Sequence, residues 1–108
     1  PTLNIKNFPS NQAISSKTCA VLRNYMKNVV ENGTGFNAQY KSQTAGKTAT
    51  AQSGIYVDGK EQLNTWFVGF YPYDNPKYSI VVMREGGKSG AGDCCPVFRT
   101  IVEKIDNM

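Results

Sequence analysis

Three observations predict an α/β (α+β) fold in which a three-stranded antiparallel meander is flanked by two helices. Apolar pairs recur every four positions near the start (Val21-Leu22, Tyr25-Met26, Val29-Val30) and near the end (Val97-Phe98, Ile101-Val102, Ile105), the stripe of an amphipathic helix. Between them lie three runs rich in β-formers. Two turn signals, Asp58-Gly59 and Pro72-Tyr73-Asp74-Asn75-Pro76, divide those runs. The 108 residues have room for one modest core, hence one domain.

In chain order, residues 1–14 read as an incoming segment in which Leu3 and Ile5 alternate before Pro9, Ser10 and Asn11 break the pattern. Ser15 is an N-cap for the first helix. Asn32-Gly33 ends that helix, with Gly33 able to take positive φ. A polar loop runs from Gly33 to about Thr44. The first strand spans about Ala45 to Tyr56, the second Leu63 to Tyr71 and the third Lys77 to Arg84. The last two are nearly continuous apolar runs, which suits strands covered on both faces. Gly86 to Gly92 reads as a flexible connector. Asp93 then caps a final helix that tolerates Pro96 in its first turn.

Composition excludes several classes. Hydrophobic residues make up 40% and charged residues 19%, ordinary values for a globular chain. The formal net charge of +4 suits anionic surroundings such as a cell wall, but Lys and Arg do not cluster, so it reads as a mildly basic surface. Six Tyr beside that charge raise nucleic-acid binding; the aromatics fall inside strands and helix stripes, so no nucleic-acid partner is expected. No apolar run approaches the roughly 20 residues of a membrane span, and no signal peptide opens the chain. Any anchor or export signal is expected outside it. There is no His, and Cys19, Cys94 and Cys95 lack C-x-x-C spacing, so no metal site is expected. The thiols read as buried and reduced.

The most informative segment is Ala45-Gly46-Lys47-Thr48-Ala49-Thr50-Ala51-Gln52. On a strand Lys47 points to one side, and Thr48 and Thr50 to the other. The segment thus carries a cation, two hydroxyls and backbone N–H groups, the parts that hold a carboxylate and a developing oxyanion. A P-loop is excluded, because position 41 holds Lys where that motif needs Gly. The plain alternative is an edge strand of a binding module with solvated Lys and Thr.

Lys47-Thr48-Ala49-Thr50-Ala51-Gln52 resembles the K-T-G-T-A-Q strand of class B penicillin-binding proteins. Four further stretches match that family in the same order. Val29-Val30-Glu31-Asn32-Gly33-Thr34-Gly35 resembles its V-V-x-x-G-T-G turn, and Trp66-Phe67-Val68-Gly69-Phe70 with Pro72 its next strand. Pro76-Lys77-Tyr78-Ser79-Ile80-Val81-Val82 resembles the strand after that, and Cys95-Pro96-Val97-Phe98 the A-P-V-F entry to its last helix. The resemblance runs from about Ile5 to Ile105. It implies the C-terminal part of a transpeptidase domain, with two more strands and an all-helical part lying outside the chain and both helices on one face of the sheet.

The resemblance further implies that Lys47 keeps the site positive and bridges to the S-x-N hydroxyl. The Thr48 and Thr50 hydroxyls would bind the carboxylate of a D-Ala-D-Ala stem peptide or a β-lactam, and the Thr50 N–H would be an oxyanion donor. Ala49 and Gln52 complete the substrate-binding strand. No cofactor is implied, and the location would be the extracytoplasmic face of a bacterial membrane. Ala49 departs from the usual Gly and tightens the site by one methyl. The nucleophile motif S-x-x-K and the S-x-N motif occur nowhere in the sequence, and Tyr73-Asp74-Asn75, formally Y-x-N, sits in a turn. Covalent catalysis needs an activated nucleophile beside its base, so the chain alone is expected to be inactive. An alternative reading is a non-catalytic penicillin-recognising sensor or scaffold. Self-association through an unpaired third strand is also expected.

Overall fold

The computed structural model describes residues 10–108; the predicted incoming segment lies largely outside the described residues. Helix α1 spans Ser16–Asn32 and is followed by a 3₁₀ turn, Phe36–Ala38. Strands β1 (Ala45–Val57), β2 (Lys60–Tyr71) and β3 (Tyr78–Gly87) form one antiparallel sheet in the order β1-β2-β3. A short helical turn α2, Gly90–Asp93, leads into α3, Cys95–Asp106. The predicted meander between two helices is therefore present, and each strand runs one to three residues beyond one or both of its predicted ends.

Local chemistry accounts for most boundaries. The Ser15 hydroxyl accepts from the Thr18 N–H at 3.1 Å and caps α1. Asp58 (φ 51°) and Gly59 (φ 78°) both take left-handed backbone, the requirement of a type I′ hairpin. Gly33 differs from expectation: it is extended, with φ −128°. Glycine is needed there for space, since a Cβ would stand 3.0 Å from the Val29 carbonyl oxygen, which also accepts the Gly33 N–H at 3.0 Å.

The core lies on one pleat of the sheet. Phe67 of β2 and Phe98 of α3 are fully buried and meet edge to face at 4.7 Å. Val30, Tyr71, Cys94 and Val102 join the same cluster. Cys94 and Cys95 are buried free thiols, as expected, whereas Cys19 is half-buried; burial pushes the Cys95 thiol up to about 11. Val30 of α1 and Phe98 and Val102 of α3 thus meet in one core. α3 packs on β2 and β3, whereas α1 runs along β1, and its Arg23 stands over the rings of Phe70 and Tyr73. Phe70 projects from the pleat opposite to Phe67, so α1, lying along the edge strand, reaches round to that pleat with its long Arg23 side chain.

Burial of β2 and β3 on both faces does not hold. Val68 is 41%, Val81 59% and Met83 43% exposed. The register puts Val68 opposite Val81 and Trp66 opposite Met83, so these four side chains share one pleat. The apolar runs of the sequence thus face α3 on one side and lie open on the other.

Candidate functional site

The strand β1 lies at the sheet edge and pairs with β2 in the register Lys47↔Val68, Thr48↔Phe67, Ala49↔Trp66 and Thr50↔Thr65. Lys47 therefore shares its pleat with Val68, and Thr48 and Thr50 project on the α3 side, as the alternation predicts. Lys47, Ala49, Thr50 and Gln52 are exposed, and Thr48 is half-buried.

Two close approaches fix where the backbone groups of this edge point. The Ala45 carbonyl oxygen lies 2.7 Å from the place a Cβ on Gly69 would occupy, and the Val68 oxygen 2.6 Å from that on Gly46. Both carbonyls therefore point between the strands. That pattern makes Ala45↔Phe70 and Lys47↔Val68 hydrogen-bonded pairs, with Gly46↔Gly69 a non-bonded one. The alternation carries on to Ala49↔Trp66 as a bonded pair. The N–H and C=O of Thr48 and Thr50 consequently turn to the outer edge of β1. In agreement, the Lys47 ammonium reaches the Thr48 carbonyl oxygen at 3.2 Å. One edge thus presents an ammonium and two backbone N–H donors.

Two features of this edge were not anticipated. The Thr34 and Thr48 hydroxyls lie 2.9 Å apart, and either can donate. Thr34 belongs to the loop after α1, and nothing in that loop's sequence announces its return to β1. The second is α2. A Cβ on Gly90 would stand 2.4 Å from the Trp66 oxygen, 3.2 Å from the Ala49 oxygen and 3.3 Å from the Ala49 nitrogen, so Gly90 is pressed against the strand pair at Ala49.

Asp93 corrects two expectations at once. It does not cap α3, whose first residue follows Cys94 with no side-chain cap. Its carboxylate instead accepts from the backbone N–H of Lys88 at 2.6 Å and Ser89 at 3.0 Å. Thr65 Oγ1 donates to it at 3.3 Å and Arg84 at 3.4 Å. The Ser89 and Lys88 amides hold its carboxyl below the ordinary 3.8. The segment read as a flexible link is therefore the end of β3 plus a tied helical turn. The amides of Lys88 and Ser89 are thereby engaged by an internal carboxylate. Tyr73-Asp74-Asn75 is a structural turn: Tyr73 stacks on Phe70 at 5.9 Å, and Gln43 brackets Asp74 through bonds of 2.8 and 3.0 Å.

Residues 6–103 match the penicillin binding protein transpeptidase domain. The chain is 34% identical to the peptidoglycan D,D-transpeptidase FtsI of Buchnera aphidicola subsp. Baizongia pistaciae over 111 residues, which is 94% of this chain and 19% of that protein. It is 33% identical to the peptidoglycan D,D-transpeptidase MrdA of Haemophilus influenzae over 93 residues, 72% of this chain and 14% of that protein. A D,D-transpeptidase domain of a peptidoglycan glycosyltransferase from Eggerthella lenta superposes with TM-score 0.77 at 26% identity, covering 98% of this chain and 24% of that one. A structure from Atopobium parvulum superposes with TM-score 0.82 at 22% identity, covering 96% of this chain and 26% of that one, and shares the fold.

The fold, with the match along nearly the whole chain, defines a domain of the peptidoglycan-transpeptidase type. The chain belongs to the penicillin-binding protein transpeptidase family, of which it represents part of the domain. It spans under a fifth of the length of the two relatives named.

Proposed function

We propose that this chain is the C-terminal part of a D,D-transpeptidase domain that cross-links peptidoglycan stem peptides through a serine acyl-enzyme and is acylated by penicillin. The supporting observation is the outer edge of β1, along which the Lys47 ammonium lies beside the backbone groups of Thr48 and Thr50. In this reading Lys47 keeps the nucleophile site positive. The Thr48 and Thr50 hydroxyls hold the carboxylate of D-Ala-D-Ala or of a β-lactam, and the Thr50 N–H donates to the tetrahedral oxyanion. Ala49 and Gln52 line the same strand. The nucleophilic serine and the S-x-N hydroxyl come from outside these 108 residues, in keeping with the absence of both motifs from the sequence.

The exposed pleat of Trp66, Val68, Val81 and Met83 is the surface on which the rest of the domain sits. In its absence the chain self-associates, because that pleat and the β3 edge are apolar. In this reading the site lies on the extracytoplasmic face of a bacterial membrane; among the described residues no helix is long and apolar enough to cross one.

A fluorescent penicillin tests the reading. The 108-residue chain should take no denaturation-resistant label, while the full-length protein should take one per site. Label on the isolated chain, or none on the full-length protein, would contradict the proposal.

A further inference from the structure

The helical turn behind β1 is more firmly tied than a connector requires. Gly90 is buried against the Ala49–Trp66 pair, and a single added methyl would meet the Trp66 oxygen at 2.4 Å. Two ends of the turn are fixed: the Ser89 hydroxyl accepts from the Gly92 N–H at 3.0 Å, and Asn37 Nδ2 donates to the Ala91 oxygen at 3.3 Å. Asp93 ties the turn to the sheet through the Thr65 hydroxyl at 3.3 Å, and Thr65 is the register partner of Thr50. Cys94 adds a second tie to the same residue, its thiol donating to the Thr65 oxygen at 3.3 Å. Gly87 admits this packing because it has no side chain: a Cβ there would be 2.5 Å from both Asp93 Oδ2 and Thr65 Oγ1.

We propose that Asp93, through the Ser89–Cys94 turn and the close seat of Gly90, is a positioning residue that braces the Ala49–Thr50 peptide from behind. It touches no substrate. Its effect is to hold the Thr50 N–H at a fixed depth on the outer edge, where an error of about 1 Å in an aligned donor costs up to about a hundredfold in rate. The inference rests on the reading of the β1 edge given under the proposed function. It identifies what makes that edge rigid although β1 has a sheet neighbour on one side only. Substituting Ala for Asp93 strands the Lys88 and Ser89 amides and the Thr65 hydroxyl together. Asn retains one acceptor oxygen for them.

The test is rapid-mixing acylation of the full-length protein by a fluorescent penicillin, resolved into non-covalent affinity and the acylation rate constant. Asp93→Ala should lower the rate constant about tenfold with affinity changed by less than about threefold, and Asp93→Asn should recover most of the loss. Equal losses in affinity and rate that Asn does not rescue indicate general destabilisation and overturn the proposal. Wild-type acylation by Asp93→Ala, with Lys47→Ala slow, overturns the brace and leaves the site reading intact. Wild-type acylation by Lys47→Ala removes the site reading and the brace with it. Should Asp93→Ala fail to fold, Ser89→Ala removes only the exposed cap of the same turn. About a threefold fall in rate constant at unchanged affinity then supports the brace, and an unchanged rate constant overturns it.

Discussion

At the scale of single residues, the site depends on which way one strand's groups point. Lys47 and the Thr48 and Thr50 N–H groups share the outer edge of β1 because the carbonyls of Ala45 and Val68 occupy the inner one. Replacing Lys47 or Thr50 by Ala in the full-length protein should slow penicillin acylation about tenfold or more, since in the proposed reading each removes a charge-assisted contact to the substrate carboxylate or to the network that positions it. Ala49→Gly should alter it by less than about threefold, because Ala49 is exposed and its methyl is the smallest intrusion a side chain can make. Stopped-flow labelling of the three variants checks both statements. The alternation of Lys47 against Thr48 and Thr50 was legible in the sequence because it follows from strand geometry alone. The Thr34–Thr48 hydroxyl pair was not, since it joins positions 14 apart through a loop with no periodicity. Asp93 was misread for a related reason. Beside Pro96 it looks like a helix cap, but its partners all lie upstream, the Lys88 and Ser89 amides with Thr65 and Arg84.

At the scale of elements, the turns were easiest to read and the packing hardest. Asp58-Gly59 announces its hairpin because few residue pairs accept two left-handed conformations in a row. The exposed pleat of β2 and β3 could not be read from the apolar runs, which look the same whether one face or both are covered; it was implied only by the resemblance, which puts an all-helical part outside the chain. One tie between elements makes a pH prediction. Asp106 at the end of α3 accepts from Lys41 at 2.8 Å, Tyr71 at 2.6 Å and Tyr40 at 3.0 Å. Lys41, then Tyr71 and Tyr40, pull its carboxyl from 3.8 down to about 2. A depressed carboxyl stabilises the fold above the unfolded value, so this contribution is present above about pH 4 and lost as pH falls through about 2. The Asp106 bond also pushes Tyr71 up from 10.0 to about 12, a contribution present below pH 10 and lost as pH rises through about 12. Asp106→Asn should therefore flatten the midpoint of thermal unfolding at both ends of the pH scale, with little further change between pH 5 and 9. By contrast, Phe98→Ala should cost about 3–5 kcal/mol at any pH, because it empties the centre of the core against Phe67. Chemical denaturation separates the two behaviours.

At the scale of the whole molecule, one side of the sheet is finished and the other is not. α3 seals the Phe67 pleat, while Val68, Val81 and Met83 stay open. Light scattering of the 108-residue chain at micromolar concentration should report association, and Val81→Lys should shift it towards monomer by placing a charge on the open pleat. A monomer at that concentration would contradict the proposed self-association. The sheet is also uneven along its length. β3 ends opposite Leu63, so beyond that point β1 and β2 continue as a two-strand ribbon to the Asp58-Gly59 turn. The irregularity between Gln52 and Tyr56, with Gly54 in left-handed backbone, separates that ribbon from the register that positions Lys47. The ribbon is accordingly a tolerant margin of the protein. Paired residues inserted on both sides of Asp58-Gly59 would lengthen the arm and leave the spacing of Lys47, Thr48 and Thr50 untouched. A single residue inserted between Thr50 and Gln52 would turn Lys47 and Thr48 to each other's side of the sheet relative to everything beyond it. Length variation in this chain is thus permitted at the arm's tip and forbidden a few residues away.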